Sequence, residues 1–359
     1  MAIVTIKQIA ERTGLSIRTV GRILSEDVSG SGSPLHSSST REKVVTAARE
    51  LGYRPNASAR SMRTGRFGCV ALLLSSTSPQ KSNLPGELFA GIDDALTEHN
   101  IHLTLARLPD EKLATEDVLP KILREWMADG LLVNYNYHIP QSLLQTIRDP
   151  RIPSVWINTK QEANAVWPDD FAAGRRAAED LIARGHTRIS YAVQQGADGH
   201  YSATDRYEGY QAAMAAAGLP SEKMVLPEPR IAQGRTSLLP PPGWEEGGPA
   251  WQPDAVTTGK RPTAIIAYMG NVANFLLFLA AEHGLKAPRD LSVVTFEDYT
   301  SATAGLLLTT WRIPTYRLGQ EAVRMLLARL ADPNHAPQPP VVVPFAVPDC
   351  ESSVGPPPH

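Results

Sequence analysis

From residue 67 onward, apolar runs suited to β-strands alternate with segments of helical periodicity. The run FGCVALLLSS is continuously apolar, as expected of a parallel strand that is covered on both faces. Further strands are predicted at IHLTLARL, GLLVNY, PSVWIN, RISYAV, PTAIIAY and LSVVTFE. Helices are predicted in DDFAAGRRAAEDLIARGH and at about 86–99, 114–129, 140–148, 204–217 and 272–284. Two such series predict an α/β fold with parallel sheets, arranged as two lobes that face each other across a cleft.

Residues 1–66 differ from this body in both pattern and charge. They hold 11 Lys and Arg against 5 Asp and Glu, whereas the rest of the chain holds 24 against 32. A small basic head on an acidic body indicates a nucleic-acid-binding module attached to a second functional unit. Segregation of the charges by chance is the alternative.

Capping signals predict three short helices in this head. Thr5 and Gln8 form a capping box for the first helix, and Gly14 suits the sharp turn that follows it. Ser16 is a good N-cap for the second helix. That helix is predicted to bury Val20, Ile23 and Leu24 and to expose Ile17, Arg18, Gly21 and Arg22. A third helix is predicted to begin at a capping box of Ser39 and Glu42 and to end at Gly52.

Two helices joined by a tight turn and supported by a third form a helix-turn-helix, whose second helix can enter the DNA major groove. Arg18 and Arg22 would then pair with guanine or hold phosphates. A generic three-helix unit with solvated arginines is the alternative. The following segment, NASARSMRTG, places Arg60 and Arg63 around the apolar Met62, a composition that suits the minor groove.

The stretches VTIKQIAERTGLSIRTVGRIL, TREKVVTAARELGYRPN and ASARSMRTGR closely resemble the head and hinge of the lactose-repressor/galactose-repressor (LacI/GalR) family of bacterial regulators. The resemblance implies that Ile17, Arg18 and Arg22 reach bases and that Met62, next to Ala59, wedges into a minor-groove step. The full set of implied DNA contacts is Thr5, Ser16, Ile17, Arg18, Thr19, Arg22, Tyr53, Asn56, Ala59 and Met62. Gly21 stands where the family usually has serine, and the loop SEDVSGSGSPLHSSS is longer than usual.

Ligands of parallel α/β lobes bind outside the carboxyl ends of the strands, where this chain places several charged residues. Asp169 and Asp170 precede a helix, Arg206 lies in TDRYEGY, and Glu297 ends VVTFE. Carboxylates and an arginine suit the hydroxyl-rich edge of a sugar or nucleoside. Alternatively, one of the aspartates only caps its helix, and Arg206 pairs with a neighbouring carboxylate.

The resemblance extends over this body and implies a periplasmic-binding-protein-like domain for effector binding and dimerisation. It implies that Arg206 and Glu297 bind the effector, and the predicted effector set is Asp169, Asp170, Arg206, Glu297 and Tyr268. The chain departs from the family at Tyr268, Met269 and Gly270, where Ala-Asn-Asp is usual, and in the Pro- and Gly-rich segment 226–262.

These patterns predict a DNA-binding domain at 1–55, a hinge at 56–66 and an effector domain at 67–359. Within the effector domain, the first lobe is predicted to hold about 67–163 and 312–335, and the second about 164–298 and 340–355.

The predicted function is a homodimeric repressor that binds a pseudo-palindromic double-stranded operator under the control of a small, sugar-like effector. The alternatives are a regulator of this family that is independent of effector or that senses a nucleoside or purine. A ligand receptor without DNA function and an enzyme are disfavoured, because the chain has a basic head and lacks a phosphate-cradling glycine loop, a nucleophile elbow and metal-ligand spacings. We expect no cofactor, no metal and no membrane segment. The absence of an apolar leader and the presence of only two cysteines, Cys69 and Cys350, predict a cytoplasmic protein.

Overall fold

The chain folds into two compact units, Met1–Phe67 and Gly68–His359. The structure is a computed structural model. It describes residues 4–29, 36–54, 65–76, 84–108, 128–136, 139–149, 151–226, 231–232, 235–236, 261–300, 302–303, 305–331, 337–348 and 353–357. Within these ranges, no helix is both long and apolar enough to cross a membrane.

The first unit contains the three predicted helices, α1 (Ile6–Thr13), α2 (Ile17–Ser29) and α3 (Ser38–Leu51). Thr5 and Gln8 form the predicted capping box, and the Thr5 amide donates to Gln8 Oε1 at 2.8 Å. Gly14 adopts a left-handed φ of 70°, which lets the chain turn sharply between α1 and α2. The three helices bury one apolar core that includes Ile9, Val20, Ile23, Val44 and Ala47.

Two details of this unit differ from the sequence prediction. Gly21 is buried rather than exposed, because α2 turns it towards Ile6 of α1. The cap of α3 is Ser37, whose hydroxyl accepts from the Thr40 amide, so the predicted box of Ser39 and Glu42 was wrong. The helix begins one residue before Ser39, which therefore lies inside its first turn.

The second unit contains two parallel sheets, each with helices packed against it. The strands of the first sheet are β1 (Cys69–Ser75), β2 (His102–Leu108), β3 (Gly130–Asn134), β4 (Ser154–Ile157), β5 (Ala165–Pro168) and β15 (Val341–Val343), in the order β15-β5-β4-β3-β1-β2. Its helices are α4 (Gly86–Glu98), α5 (Gln141–Ile147) and α9 (Thr315–Ala331). We call this sheet with its helices the first lobe.

The second lobe is built on a five-stranded sheet. Its strands are β6 (Ile189–Gln194), β7 (Glu222–Leu226), β10 (Ala264–Ala267), β11 (Ser292–Glu297) and β14 (Thr309–Arg312), in the order β14-β11-β10-β6-β7. The helices of this lobe are α6 (Asp170–Ala183), α7 (Tyr201–Ala216) and α8 (Gly270–Glu282). Two small hairpins, β8–β9 (Ile231–Ala232, Arg235–Thr236) and β12–β13 (Ala302–Thr303, Leu306–Leu307), complete the described strands.

The α/β fold with parallel sheets is confirmed, and most predicted elements lie where they were expected. The lobe boundaries at 164 and 340 were wrong for two strands, because β5 pairs with β4 and β15 pairs with β5 in the first sheet. The chain therefore leaves the first lobe after Pro168. The predicted helix at 114–129 and most of segment 226–262 lie outside the described residues.

Close packing between α6 and α7 fixes the part of the second lobe that carries the charged residues. A Cβ atom at Gly174 would overlap the backbone carbonyl of Arg206, and one at Gly209 would overlap that of Phe171. Only glycine allows this approach at the two positions. The contact places Asp170, at the start of α6, beside Arg206 on the second turn of α7.

Candidate DNA-binding and effector sites

Helix α2 presents an exposed face at its N-terminus. Ser16 caps the helix by accepting from the Thr19 amide at 3.1 Å, which satisfies one of the backbone N–H groups that the first turn leaves without a partner. Ile17 is 54% exposed, although it is a large apolar residue. Arg18 and Arg22 are also exposed and lie one helical turn apart. An exposed isoleucine between a hydrophilic cap and two cations is a suitable surface for base edges and phosphates.

The other predicted DNA contacts are placed less uniformly. Thr5 is exposed at the start of α1, and Thr19 is half-buried beside Ser16. Tyr53 packs partly against the three-helix core. Asn56, Ala59 and Met62 lie outside the described residues.

The charged centre of the second lobe is the ion pair between Arg206 and Asp170. Arg206 Nε donates to Asp170 Oδ1 at 2.7 Å, and both side chains are buried, with 5% and 0% of their surface exposed. Arg206 Nη1 donates to the backbone oxygen of Tyr268 at 3.0 Å. Burial raises the pKa of the Asp170 carboxyl, and the nearby guanidinium opposes that shift.

Three aromatic rings surround the same guanidinium. Its carbon lies 4.6 Å from the ring centre of Phe296, 5.2 Å from that of Tyr268 and 5.7 Å from that of Phe345. Within the described part of the chain, Nη2 has no hydrogen-bond partner. Arg206 is thus held rigidly by two acceptors and three rings and retains donors for an additional acceptor.

Glu297 and Asp298 lie at the carboxyl end of β11. Glu297 Oε1 accepts from the Gly270 amide at 2.7 Å and so caps α8. Burial raises the pKa of Glu297, and it raises the pKa of Asp298 to about 6, helped by the charge of Glu297. The negative charge of Glu87, at the start of α4 in the first lobe, also raises the pKa of Asp298. The carboxyl edges of the two sheets lie near each other, because Asn158, directly after β4, accepts a hydrogen bond from Tyr201, which follows β6 in the chain.

Both alternative interpretations of the charged residues describe contacts that are present. Asp169 caps α6, with its Oδ1 accepting from the Ala172 amide at 3.0 Å, and Arg206 pairs with Asp170. Tyr268 is buried, and its hydroxyl lies 2.9 Å from Ser202 Oγ. The structure brings Asp170, Arg206 and Tyr268 into direct contact. Asp169 instead caps its own helix. Among the described residues, Glu297 forms no hydrogen bond with these three side chains but accepts from the amide of Gly270, two residues after Tyr268.

The residues that join the two lobes were missed by the sequence analysis. Asn158, directly after β4, accepts from the Tyr201 hydroxyl at 2.9 Å through its side chain and lies 3.2 Å from His200 Nε2 through its backbone oxygen. Lys160 Nζ donates to Asp205 Oδ1 at 2.8 Å. The only local signal was Asn158 itself, which adopts a positive φ of 56° that asparagine tolerates better than most residues.

Known proteins match this architecture along its length. Residues 5–56 match the family described as bacterial regulatory proteins, lacI family. Residues 78–239 match periplasmic binding proteins and sugar binding domain of LacI family, and 178–349 match the periplasmic binding protein-like domain. The chain belongs to the LacI family. This LacI-family protein has a helix-turn-helix head and an effector-type body, as the resemblance implied.

Relatives that match over most of their length support this family assignment. The chain is 27% identical to the HTH-type transcriptional regulator RegA of Clostridium saccharobutylicum, over 92% of this chain and 95% of RegA. It is 26% identical to the HTH-type transcriptional repressor PurR of Vibrio campbellii, over 92% and 93%. A crystal structure of the Lac repressor dimer bound to operator and the anti-inducer ONPF has the same fold, with a TM-score of 0.73 and 21% identity, over 98% of this chain and 100% of that chain. This LacI-family protein is a DNA-binding transcriptional regulator.

Proposed function

We propose that this regulator is a cytoplasmic, homodimeric repressor that binds a pseudo-palindromic operator through Ile17, Arg18 and Arg22. The exposed first turn of α2 supports this assignment, because it combines two cations with an exposed apolar side chain. Two such heads related by a twofold axis read two half-sites of a palindrome. Thr5, Ser16, Thr19, Tyr53, Asn56, Ala59 and Met62 complete the proposed DNA contacts.

The DNA proposal is tested with an operator fragment selected from random duplexes by the full-length protein. Arg22→Ala weakens operator binding by about 1–3 kcal/mol if the guanidinium pairs with a base, and by less on random DNA. Arg12→Ala is the matched control, since Arg12 is an exposed arginine on α1 that pairs with Glu50. Equal losses for Arg22→Ala on operator and random DNA would restrict Arg22 to a phosphate contact.

We further propose that the regulator senses a small, hydroxyl-bearing molecule at the carboxyl edges of the two sheets. The observation that carries this proposal is the rigidly held guanidinium of Arg206, which retains donors on Nη2. Glu297 supplies a carboxylate close to it. A cation and an acceptor at one edge suit the paired hydroxyls of a sugar. Asp169, Asp170 and Tyr268 support the site by positioning the helices and Arg206.

Effector-independent regulation is the second candidate, and a specific observation favours it. Glu297 and Asp169 both cap helices, and Arg206 is already paired with Asp170, so these charges also satisfy one another. A nucleoside or purine effector is the remaining alternative, because aromatic rings such as those beside Arg206 stack well on a purine base.

Thermal unfolding of the full chain with sugars, sugar phosphates, nucleosides and purines separates these candidates. A ligand present at 100 times its dissociation constant stabilises the domain that it binds by about 2.7 kcal/mol. The informative variant is Glu297→Gln, because glutamine keeps an oxygen for the Gly270 amide but removes the charge. Glu208→Gln, at an exposed position on α7, is the control. Stabilisation that Glu297→Gln abolishes supports the site, whereas stabilisation by no compound favours effector-independent regulation.

A further inference from the structure

A second candidate site lies in the first lobe and is lined by residues outside the proposed effector set. It is a cavity of about 630 Å³ between the C-terminal parts of α5 and α9 and the segment that links β4 to β5. This size is typical of sites for small metabolites. Its apolar wall is formed by Leu144, Ile147 and Trp156, and its polar wall includes Arg148, Lys160 and Arg329.

Arg329 is the unusual residue of this cavity. It is only 6% exposed, and its Nη1 donates to the backbone oxygen of Ser154 at 2.8 Å. Within the described ranges, its other N–H groups have no partner, and no carboxylate lies within ion-pair distance. The other buried arginine discussed above, Arg206, is neutralised by Asp170. Buried charges are ordinarily paired, so an uncompensated guanidinium that lines a cavity indicates a missing anion.

The charges around Arg329 leave room for that anion. Arg148 is exposed at the rim and forms no ion pair in the part of the chain that the structure describes. Asp149 also lines the cavity but is bound by Arg151, whose Nη2 lies 2.6 Å from its Oδ2. Glu162 is a second carboxylate that lines the cavity and would repel an anion there, but its side chain is exposed to solvent, which screens its charge. Burial lowers the pKa of Arg329, as expected of a cation that no carboxylate offsets.

We propose that this cavity binds a phosphorylated small organic molecule, with the phosphate on Arg329 and Arg148 and the organic part against Trp156. Two arginines without carboxylate partners match the double negative charge and the several acceptor oxygens of a phosphate monoester better than a single carboxylate does. The cavity is much larger than phosphate alone, and its apolar wall accommodates the remainder of the ligand. None of the proposed effector residues lines this cavity.

Calorimetric titration of the full-length protein with inorganic phosphate, at constant ionic strength in chloride, tests the proposal. Arg329→Met is expected to weaken phosphate binding by at least about tenfold, because a buried charge-assisted hydrogen bond is lost. Arg148→Gln is the second variant, expected to weaken binding severalfold even if Arg329→Met does not fold. Arg324→Gln is the matched control, since Arg324 is an exposed arginine on the same helix that pairs with Glu321.

The other outcomes are equally informative. Unchanged binding in both cavity variants, or no saturable binding by the wild-type chain at tens of millimolar phosphate, overturns the proposal. Loss of phosphate binding in Arg206→Gln rather than in the cavity variants assigns the anion to the effector site and also overturns it. Acetate that binds as tightly as phosphate overturns the assignment of a phosphate group.

Discussion

His200 is predicted to make the contact between the two lobes sensitive to acid. It is the N-cap of α7, and its Nδ1 accepts from the Ser202 amide at 3.3 Å. That nitrogen is therefore unprotonated, which makes Nε2 the donor to the Asn158 oxygen at 3.2 Å. Burial lowers the pKa of His200 to about 4. Protonation would place an Nδ1–H against the Ser202 amide N–H, which also donates.

The sign of the effect follows from the two pKa values. In the unfolded chain the imidazole titrates near 6.5, and in the folded chain it titrates near 4. Between these values the unfolded state binds the proton and the folded state does not, so stability is full above pH 6.5 and falls as the pH is lowered. A single group with this shift costs about 2 kcal/mol of unfolding free energy between pH 7 and pH 5.

His200→Asn is the sharpest perturbation, because asparagine remains a good N-cap but has no titrating group. Urea unfolding of the effector domain, followed in the full chain at pH 7 and pH 5, gives the free-energy loss for each protein. The wild type should lose about 2 kcal/mol more than the variant over this range. His283→Asn, at an exposed position after α8, should behave like the wild type. Equal losses in His200→Asn and the wild type would refute the neutral, buried state of His200.

Three further predictions concern other parts of the chain. Gly21→Ala should stabilise α2 by about 0.5–1 kcal/mol, seen as slower amide exchange, because the new Cβ would lie 3.9 Å from Ile6 Cδ1 in ordinary contact; faster exchange would contradict this. Gly174→Ala should cost at least about 2 kcal/mol in urea unfolding, because its Cβ overlaps the Arg206 carbonyl; an unchanged midpoint would refute the close packing. The raised pKa of Asp298, about 6 against 3.8, gives stability that is present at low pH and lost as the pH rises through 6. Asp298→Asn should remove that loss, about 1–2 kcal/mol for this half-buried group between pH 4 and pH 7; a slope equal to the wild type would refute it.

The helical head and the alternating body could be predicted because their signals are local. Capping residues, a turn glycine and an apolar period of 3.6 residues mark α1 and α2 within a few positions of each helix end. The exchange of strands between lobes has no such signal. Val341–Val343 joins β5 more than 170 residues earlier in the chain, and only the three-dimensional path of the backbone reveals this pairing. Gly21 was misplaced for a related reason, since its burial depends on how α1 crosses α2.

The candidate effector site was partly predictable. Arg206 and Asp170 stood out because they are charged residues near the carboxyl ends of predicted parallel strands, where such folds bind ligands, and the structure pairs them. His200 and Asn158 did not stand out, because a neutral buried histidine and a backbone carbonyl leave no mark on the pattern of charge or hydropathy. Arg329 was missed because an arginine near a helix C-terminus ordinarily lies at the surface.

Adjacent residues of α7 contact different lobes, and this limits how an effector can regulate the protein. Asp205 binds Lys160 of the first lobe, whereas the next residue, Arg206, turns towards Asp170 inside the second lobe. Arg206 and Glu297 both belong to the second lobe, so a ligand held by these two alone would bind every arrangement of the lobes equally. Such a ligand would shift no equilibrium, however tightly it bound. A regulatory effector at this site must therefore also contact the first lobe. Asn158 and its neighbours are first-lobe residues that contact α7, so contacts with them would determine both which effector binds and how it regulates.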